Sequence, residues 1–436
     1  MNQMLGSQHH DVVTPPMWSY HQRGDEMNDV DVVIIGAGAA GLAAARTLLA
    51  AGKTIAVLEA RDRVGGRVWS ETGFFGHAVD HGASFIHVEA DNPWTAIAEQ
   101  LGFSTIIDSK RRHLFVDGQP ASDDEFGAFM GTRQDALDQV MAVQHQDRDR
   151  SIADMLELSG PFAAQARASL APWLLGADND QASALDFARG VSGTDRLIPS
   201  GYGQLVKAYA GDVPVSLEAE VTRIDYRSAG VEVTSSKGQL RGKHAIVTVP
   251  VGVLAAERIA FDPPLPLEKL RAIEGLPMGL LAKIVLAFDG DPFGLGDSFY
   301  LHQMTETERA ALYLCRPGGT GYVVAFVGGS LARELEIAGE QEASAFALTP
   351  LRELFGKEVD QRFQGARQTR WGVDPFALGS YSVARPHAAD QRHQLATPLA
   401  DRVFLAGEAA STDGWAATVA GAYFSGRAAA RQILTA

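Results

Sequence analysis

The stretch Val32–Trp69, "VVIIGAGAAGLAAARTLLAAGKTIAVLEARDRVGGRVW", decides the fold. With Asp31 before it, "DVVII" predicts a buried strand, and Gly36, Gly38 and Gly41 complete G-x-G-x-x-G ahead of a helix of small residues ending near Gly52. "TIAVLE" reads as the next strand, closing on Glu59. In such a strand-helix-strand unit the first glycine permits the tight turn. The second lets the backbone approach a pyrophosphate, and the third lets helix and strand pack closely. The diphosphate charge then sits on the helix N-terminus, where free N–H groups and the dipole favour an anion. Glu59 lies 18 residues after Gly41, where an acid binds ribose hydroxyls and disfavours a 2′-phosphate. The alternative is a tight turn without a ligand. The ordered strand, turn, helix, strand and terminal acid favour a dinucleotide, and the motif alone does not separate NAD from FAD.

Around this unit, 436 residues suggest two or three domains at roughly 150 residues each. Thirty-eight Lys and Arg against 53 Asp and Glu give a net charge of −15, which repels polyphosphate and excludes nucleic acid as an expected partner. The single cysteine, Cys315, cannot form an internal disulfide, which fits a reducing, cytoplasmic compartment and excludes a thiolate zinc site. No metal is expected. Residues 1–27 are polar, lack the apolar core of a secretory signal and read as a flexible extension; His9 and His10 there read as solvated side chains rather than a metal pair. No apolar run approaches the ~20 residues of a membrane span, so no membrane association is expected.

The continuation "EARDRVGGRVW" adds a second glycine turn at Gly65 and Gly66, with Arg67 able to place a positive fork against the same pyrophosphate. Here the sequence resembles the flavin-dependent amine oxidases, whose nucleotide-binding unit runs into an E-A-R-x-R-x-G-G-R segment. The cofactor implied is FAD, with Glu59, Arg61, Gly66 and Arg67 among its contacts. The resemblance extends from about Asp31 to the last helix. "DHGASFIH" (Asp80 to His87) is similar to the loop that passes the flavin ring, which implies contacts from Gly82, Ala83, Ser84 and Phe85. The following "NPW" fits the family's polyamine oxidases. "FDPPLPLEKLRAIEGLPMGLLAKIVLAFD" resembles a Pro-rich crossover followed by a lysine-bearing strand, "TRWGVDPFALGSYS" a segment supplying aromatic residues near the flavin, and "VFLAGEAASTDGWAATVAGAYFSGRAAARQIL" the closing FAD motif. In the last, Gly407 and Glu408 follow a strand, and a helix opens near Thr418 and Val419.

The architecture implied is α/β, a doubly wound FAD-binding domain of the glutathione-reductase type with an interleaved α+β substrate domain. Residues 28–90, 195–260 and 396–436 are expected in the first, and 91–194 and 261–395 in the second. "VSLEAEVTRIDYRSAGVEVTSS" shows strand alternation around a Ser-Ala-Gly turn, with Val221 where the family packs a backbone group against adenine. The segment 91–194 is expected to be helical, with Asp- and Gln-rich loops around 120–150, and strands are expected at "AKIVLAF" and "GYVVAFVGG".

Amine oxidation moves two electrons from the carbon beside a nitrogen onto the flavin; the protein positions the C–H bond and keeps the nitrogen deprotonated, so no Ser-His-Asp arrangement is needed. Lys283 lies in an apolar strand pattern where an unpaired ammonium is costly. It reads either as a lysine reaching to a strand edge or, by resemblance, as the family lysine that holds a water against flavin N5. Trp371 and Tyr381 read as core aromatics or as cavity walls able to attract an amine cation. The resemblance places Tyr381 in the family's aromatic cage and Thr418 opposite it, as in polyamine oxidases and the lysine-specific histone demethylase rather than monoamine oxidases. Ser380 stands where monoamine oxidases carry a flavin-bonding cysteine, so the FAD is expected to be held non-covalently. His87 matches an active-site histidine of several polyamine oxidases, or is a strand-end histidine satisfied by backbone groups.

The function expected is an FAD-dependent amine oxidase acting on a small-molecule amine: hydride transfer to flavin N5, imine hydrolysis, and reoxidation by O2 to hydrogen peroxide. A polyamine is the favoured substrate, on the "FIH…NPW" segments, Thr418 and the acidic net charge. Monoamines, alkaloid amines and, through an L-amino-acid oxidase of the same fold, amino acids are the alternatives; an amino-acid oxidase needs a cationic clamp that the sequence does not identify. Histone or peptide demethylation is less favoured, because 436 residues leave no room for the long helical insertion and extra N-terminal domain of the histone enzyme. A flavin-binding scaffold without turnover does not require Lys283, Trp371 and Tyr381.

Overall fold

A computed structural model describes residues 29–146 and 148–435; the expected N-terminal extension, with His9 and His10, lies outside the described residues. The strand Asp29–Ile35 pairs in parallel with Ile55–Leu58 on one side (Val32 opposite Ile55, Ile35 opposite Leu58) and with Gly238–Val247 on the other. Asp29–Ile35 and Ile55–Leu58 are largely buried and read as continuous apolar runs, whereas Gly238–Val247 is buried throughout only over its last residues, Ala245–Val247. The sheet continues to Val215–Ser216 beyond Ile55–Leu58. On the other side the long strand Gly238–Val247 forks. Its first half pairs antiparallel with Val231–Ser235, followed by Val221–Asp225 and Ala260–Asp262, while its last residues pair in parallel with Val403–Leu405.

Helices cover both faces, so the sheet is doubly wound. On one face Ala39–Ala50 packs against Val419–Thr435 so closely that a Cβ on Gly426 would stand 2.0 Å from Ala40 O. Leu42, Leu48, Trp94 and Tyr202, all fully buried, complete that core; each such side chain contributes roughly 1.5–3 kcal/mol. On the other face Leu254, Ile273 and Leu395 pack over Val33, Ile35 and Val247.

A second sheet runs in the order Phe363–Gln368, Leu281–Phe288, Tyr322–Gly328, Leu312–Cys315, Phe299–Gln303, Arg111–Val116 and Gln119–Pro120. All its pairs are antiparallel except Phe299–Gln303 with Arg111–Val116. Helices Gly329–Ala338 and Glu340–Phe355 cover one face, and the other face is the floor of the site.

Two expectations for the segment 91–194 are corrected. It is not only helical: Arg111–Val116 is a strand, whose partner Phe299–Gln303 lies far along the chain, so its pairing has no local signature. The loops expected around 120–150 give way to a 19-residue helix, Asp123–Met141. Ser122 accepts from Glu125 N while the Glu125 carboxylate accepts from Ser122 N, and Asp123, Asp124 and Glu125 suit the positive end of the dipole. The S-x-x-E pattern was legible; the polar composition masked it.

Candidate active site

The glycine turn at the end of Asp29–Ile35 is built as the motif demands. Gly36 has φ 103°, and a Cβ there would meet Thr248 Oγ1 at 2.5 Å; at Gly41 it would meet Gly36 O at 1.9 Å. Gly38 is different, since a Cβ on it would find nothing within 4 Å. It precedes the first residue of the helix, has no side-chain cap and faces an open cavity. The second turn stacks on it, with a Gly66 Cβ position 3.5 Å from Gly38 Cα. Glu59 closes the second strand, where its carboxylate accepts from Ala37 N at 2.8 Å and Arg61 N at 2.9 Å, stiffening the turn. Open space over a bare backbone at a helix N-terminus, with a buried acid one strand away, fits a diphosphate-linked dinucleotide.

Every candidate cofactor-binding or catalytic residue named from the sequence except Gly41 lines a single cavity of about 1070 Å³. Gly41 sits in the helix and serves packing alone. Arg61 and Arg67 are held by partners: Arg61 is bidentate to Asp374 at 2.9 and 2.7 Å, and Arg67 donates to Glu408 Oε1 at 2.8 Å and Ser380 O at 3.0 Å. Glu408 also accepts from Ser382 N and Oγ at 3.0 and 2.6 Å. Burial raises its carboxyl, and the Arg67 charge, the Ser382 hydrogen bond and the Arg392 charge together hold it below its ordinary value. Gly407 precedes it with φ 137°. Val221, buried, lies at the start of its strand.

Lys283 is 6% exposed. Its Nζ donates to Asp80 O at 2.8 Å, to Gly82 O at 2.5 Å and to Ser84 Oγ, three acceptors for the three hydrogens of an ammonium. Burial lowers it to about 8, with the Asp80 charge opposing. The loop Asp80–Phe85 is pressed close, since a Gly82 Cβ would stand 1.8 Å from Arg67 O and 3.4 Å from Trp371. Trp371 donates through Nε1 to His81 O at 2.8 Å, and Tyr381 OH donates to Leu174 O at 3.0 Å. Burial raises the Tyr381 phenol, which stays protonated. Thr418 spends its hydroxyl on the helix Val419–Thr435, accepting from Gly421 N at 2.9 Å. Ser380 Oγ bridges Leu281 N and O, both at 2.9 Å. His87 is half-exposed with Nδ1 3.2 Å from Asp195 Oδ1, so its partner is a carboxylate rather than the backbone groups one reading supposed.

Several lining residues escaped sequence reasoning. Phe326 stands opposite Lys283 on the neighbouring strand, with Nζ 5.8 Å from its ring centroid. Trp173, Leu312, Tyr300, His302, Arg112 and Arg133 line the region beyond it. None carries a motif. Only strand register and helix packing bring them to the cavity.

A protein-family model described as "Flavin containing amine oxidoreductase" matches residues 39–434. Lysine-specific histone demethylase 1 homolog 1 of Oryza sativa subsp. japonica is 34% identical over 93% of this chain and 52% of its own length. The chain thus spans about half the length of the first curated relatives it matches. Polyamine oxidase 4 of the same organism is 32% identical over 92% of this chain and 87% of its own. Among solved structures, cyclohexylamine oxidase from Brevibacterium oxydans IH-35A has 25% identity and a TM-score of 0.79, covering 93% of this chain and 99% of that one. Putrescine oxidase bound to putrescine has 21% identity and a TM-score of 0.77 over 94% and 99%, a likeness of fold alone.

Proposed function

This chain belongs to the flavin-containing amine oxidoreductases, and on that premise we propose that it is an FAD-dependent oxidase of a small-molecule amine, with the cofactor held non-covalently. The observation that carries the reading is the continuity, in one cavity, of the Gly38 cradle with the buried Lys283 and the Trp371 and Tyr381 walls. When bound, the flavin supplies the two-electron oxidation: the amine loses a hydride and a proton to become an imine, water converts this to a carbonyl compound and an amine, and O2 is reduced to hydrogen peroxide.

The chain's own residues have distinct tasks. The free N–H groups after Gly38 and the Glu59 carboxylate bind and orient the dinucleotide. Lys283, held by Asp80, Gly82 and Ser84, fixes the loop that lines the cavity beside Trp371, with burial lowering its ammonium to about 8. Trp371, Phe326 and Tyr381 exclude water and present aromatic faces to an amine.

The finer substrate assignment is weighed on the lining. Relatives named polyamine oxidase support the sequence's preference for a polyamine, and those named histone demethylase support a demethylase reading. A polycation needs free carboxylates. On the lining, Asp186 is paired with Arg392, Asp195 with His87 and Lys110, and Glu408 with Arg67, whereas Asp108 is held by the neutral donors Tyr300 OH and Lys110 N. With most of these acids neutralised by cations, the lining favours the broader amine oxidase over either named substrate.

The test is anaerobic titration of the yellow protein with alkylamines, diamines, spermine and amino acids. Loss of the oxidised-flavin absorbance with one class is expected. A flavin that stays bound and oxidised with every class would refute the reading.

A further inference from the structure

Strand register lays a row of side chains along the cavity floor. Lys283 is opposite Phe326, and Phe326 opposite Leu312; on the next strands Leu301 is opposite Tyr313 and Tyr300 opposite Arg112. Because alternate residues share a face, Phe326, Leu312, His302, Tyr300 and Arg112 point the same way as Lys283, and all line the cavity. Three strand spacings separate Lys283 from His302, about 14 Å at ~4.8 Å per step. From above, the helix Asp123–Met141 presents Arg133, Leu137 and Met141, one turn apart, to the same region.

The far end of this row is positively charged, and among the described residues neither of its arginines has an ion-pair partner. Arg112 donates to Lys110 O at 2.7 Å and lies over the Tyr300 ring at 5.8 Å. Arg133 lies over Phe129 at 5.6 Å, its buried Nε has no partner among the described residues, and its one hydrogen-bond partner among them is Met130 Sδ at 4.0 Å. Among the described residues no carboxylate is within ion-pair distance of either guanidinium; the Asp108 carboxylate, at the hydroxyl end of Tyr300, accepts from Tyr300 OH and Lys110 N and keeps its charge. His302, 1% exposed, has neither ring nitrogen hydrogen-bonded and is wedged between Phe129 and Trp173, with ring centroids 5.1 and 5.8 Å away. Burial first, then the charges of Arg133 and Arg112, hold that imidazole neutral, leaving it one N–H to donate. Two neighbouring cations and an orphaned imidazole cost stability unless something answers them. Leu312, Trp173 and Phe326 give the stretch between them and Lys283 an apolar lining.

Resting on the amine oxidase reading above, we propose that Arg112, Arg133 and His302 form a carboxylate subsite, so that the substrate is an amine with an acid group at its far end. Arg offers a planar fork matched to a carboxylate, and the imidazole N–H adds a third donor. With the amine oxidised beside Lys283, a row of ~14 Å is far longer than the two bonds that separate the groups of an α-amino acid. The class that fits is the ω-amino acids and larger amines with a distal acid.

Two measurements test this. In anaerobic flavin bleaching, 4-aminobutanoate, 6-aminohexanoate and 8-aminooctanoate are compared with alkylamines of equal length and with 1,8-diaminooctane. A longer ω-amino acid is expected to show an apparent Kd at least about tenfold below its matching alkylamine, and Arg133→Gln to abolish that advantage while Arg133→Lys restores part of it. Separately, calorimetric titration of octanoate into the holoenzyme reads the anion site whether or not any amine is oxidised, with about tenfold weaker binding expected in Arg133→Gln. Arg112→Gln carries the same expectation if Arg133→Gln does not fold. Octanoate that does not bind, binding indifferent to both arginines, or a diamine preferred over the ω-amino acid overturns the proposal. Arginine-dependent octanoate binding with no amine bleaching the flavin would instead defeat the oxidase reading and leave the subsite standing.

Discussion

Gly38→Ala separates a cradle built for a ligand from a turn built for packing. Its backbone, at φ −77° and ψ −175°, is open to any residue, and an added methyl would touch no protein atom within 4 Å. The apoprotein should therefore lose almost nothing, within about 0.5 kcal/mol, as for an unremarkable surface change. The cofactor should lose much more. The methyl projects into the cavity where a diphosphate would lie against the first turn of Ala39–Ala50. Displacing it forfeits one or two charge-assisted backbone hydrogen bonds at about 1.5–3 kcal/mol each, or roughly 10- to 100-fold or more in Kd. The neighbouring Gly41→Ala is the control, because its methyl would overlap Gly36 O at 1.9 Å, and this variant should fail to fold normally. The assay is FAD titration into deflavinated protein, followed by fluorescence quenching, with thermal melting of each apoprotein alongside. Wild-type FAD affinity in Gly38→Ala would refute the cradle, and a destabilised Gly38→Ala apoprotein would refute its openness.

Lys283→Met should keep its flavin but slow reoxidation by O2, and the step's apparent pKa near 8 should vanish; unchanged oxygen kinetics would count against any role for this lysine. The same group sets a stability sign: its folded value lies below the ordinary 10.5, so the penalty of the buried ammonium is present below pH 8 and relieved as pH rises toward 10.5. Wild type should gain on Lys283→Met over that window in urea melts. Glu408→Gln strips the buried counter-charge from Arg67 and should cost about 3–5 kcal/mol. Because Glu408 is held below its ordinary 4.5, that stabilisation is complete above this value and fades as acid passes below it; equal acid sensitivity in the variant would contradict the assignment. Ser122→Ala, which removes the capping box of Asp123–Met141, should cost about 1 kcal/mol, and hydrogen exchange in that helix should quicken; an unaltered helix would mean that packing alone holds it.

The nucleotide-binding half was legible because its determinants are local. Gly36, Gly38, Gly41 and Glu59 lie within one strand-helix-strand unit, where φ limits, close packing and a terminal acid each leave a mark at fixed spacing. Lys283 was legible as an anomaly in an apolar strand, but not its holders, since Asp80, Gly82 and Ser84 come from some 200 residues earlier. The helix Asp123–Met141 had a local signal in Ser122 and Glu125 that polar composition outweighed. The cationic end had none. Arg112 enters through a parallel pairing with Phe299–Gln303, His302 through alternation along that strand, and Arg133 through a helix laid across both. By itself the sequence determined which backbone turns could cradle a dinucleotide, because steric limits act between neighbouring residues. Only the tertiary structure decided which charges face the cavity together, because that depends on the register of strands remote in the chain.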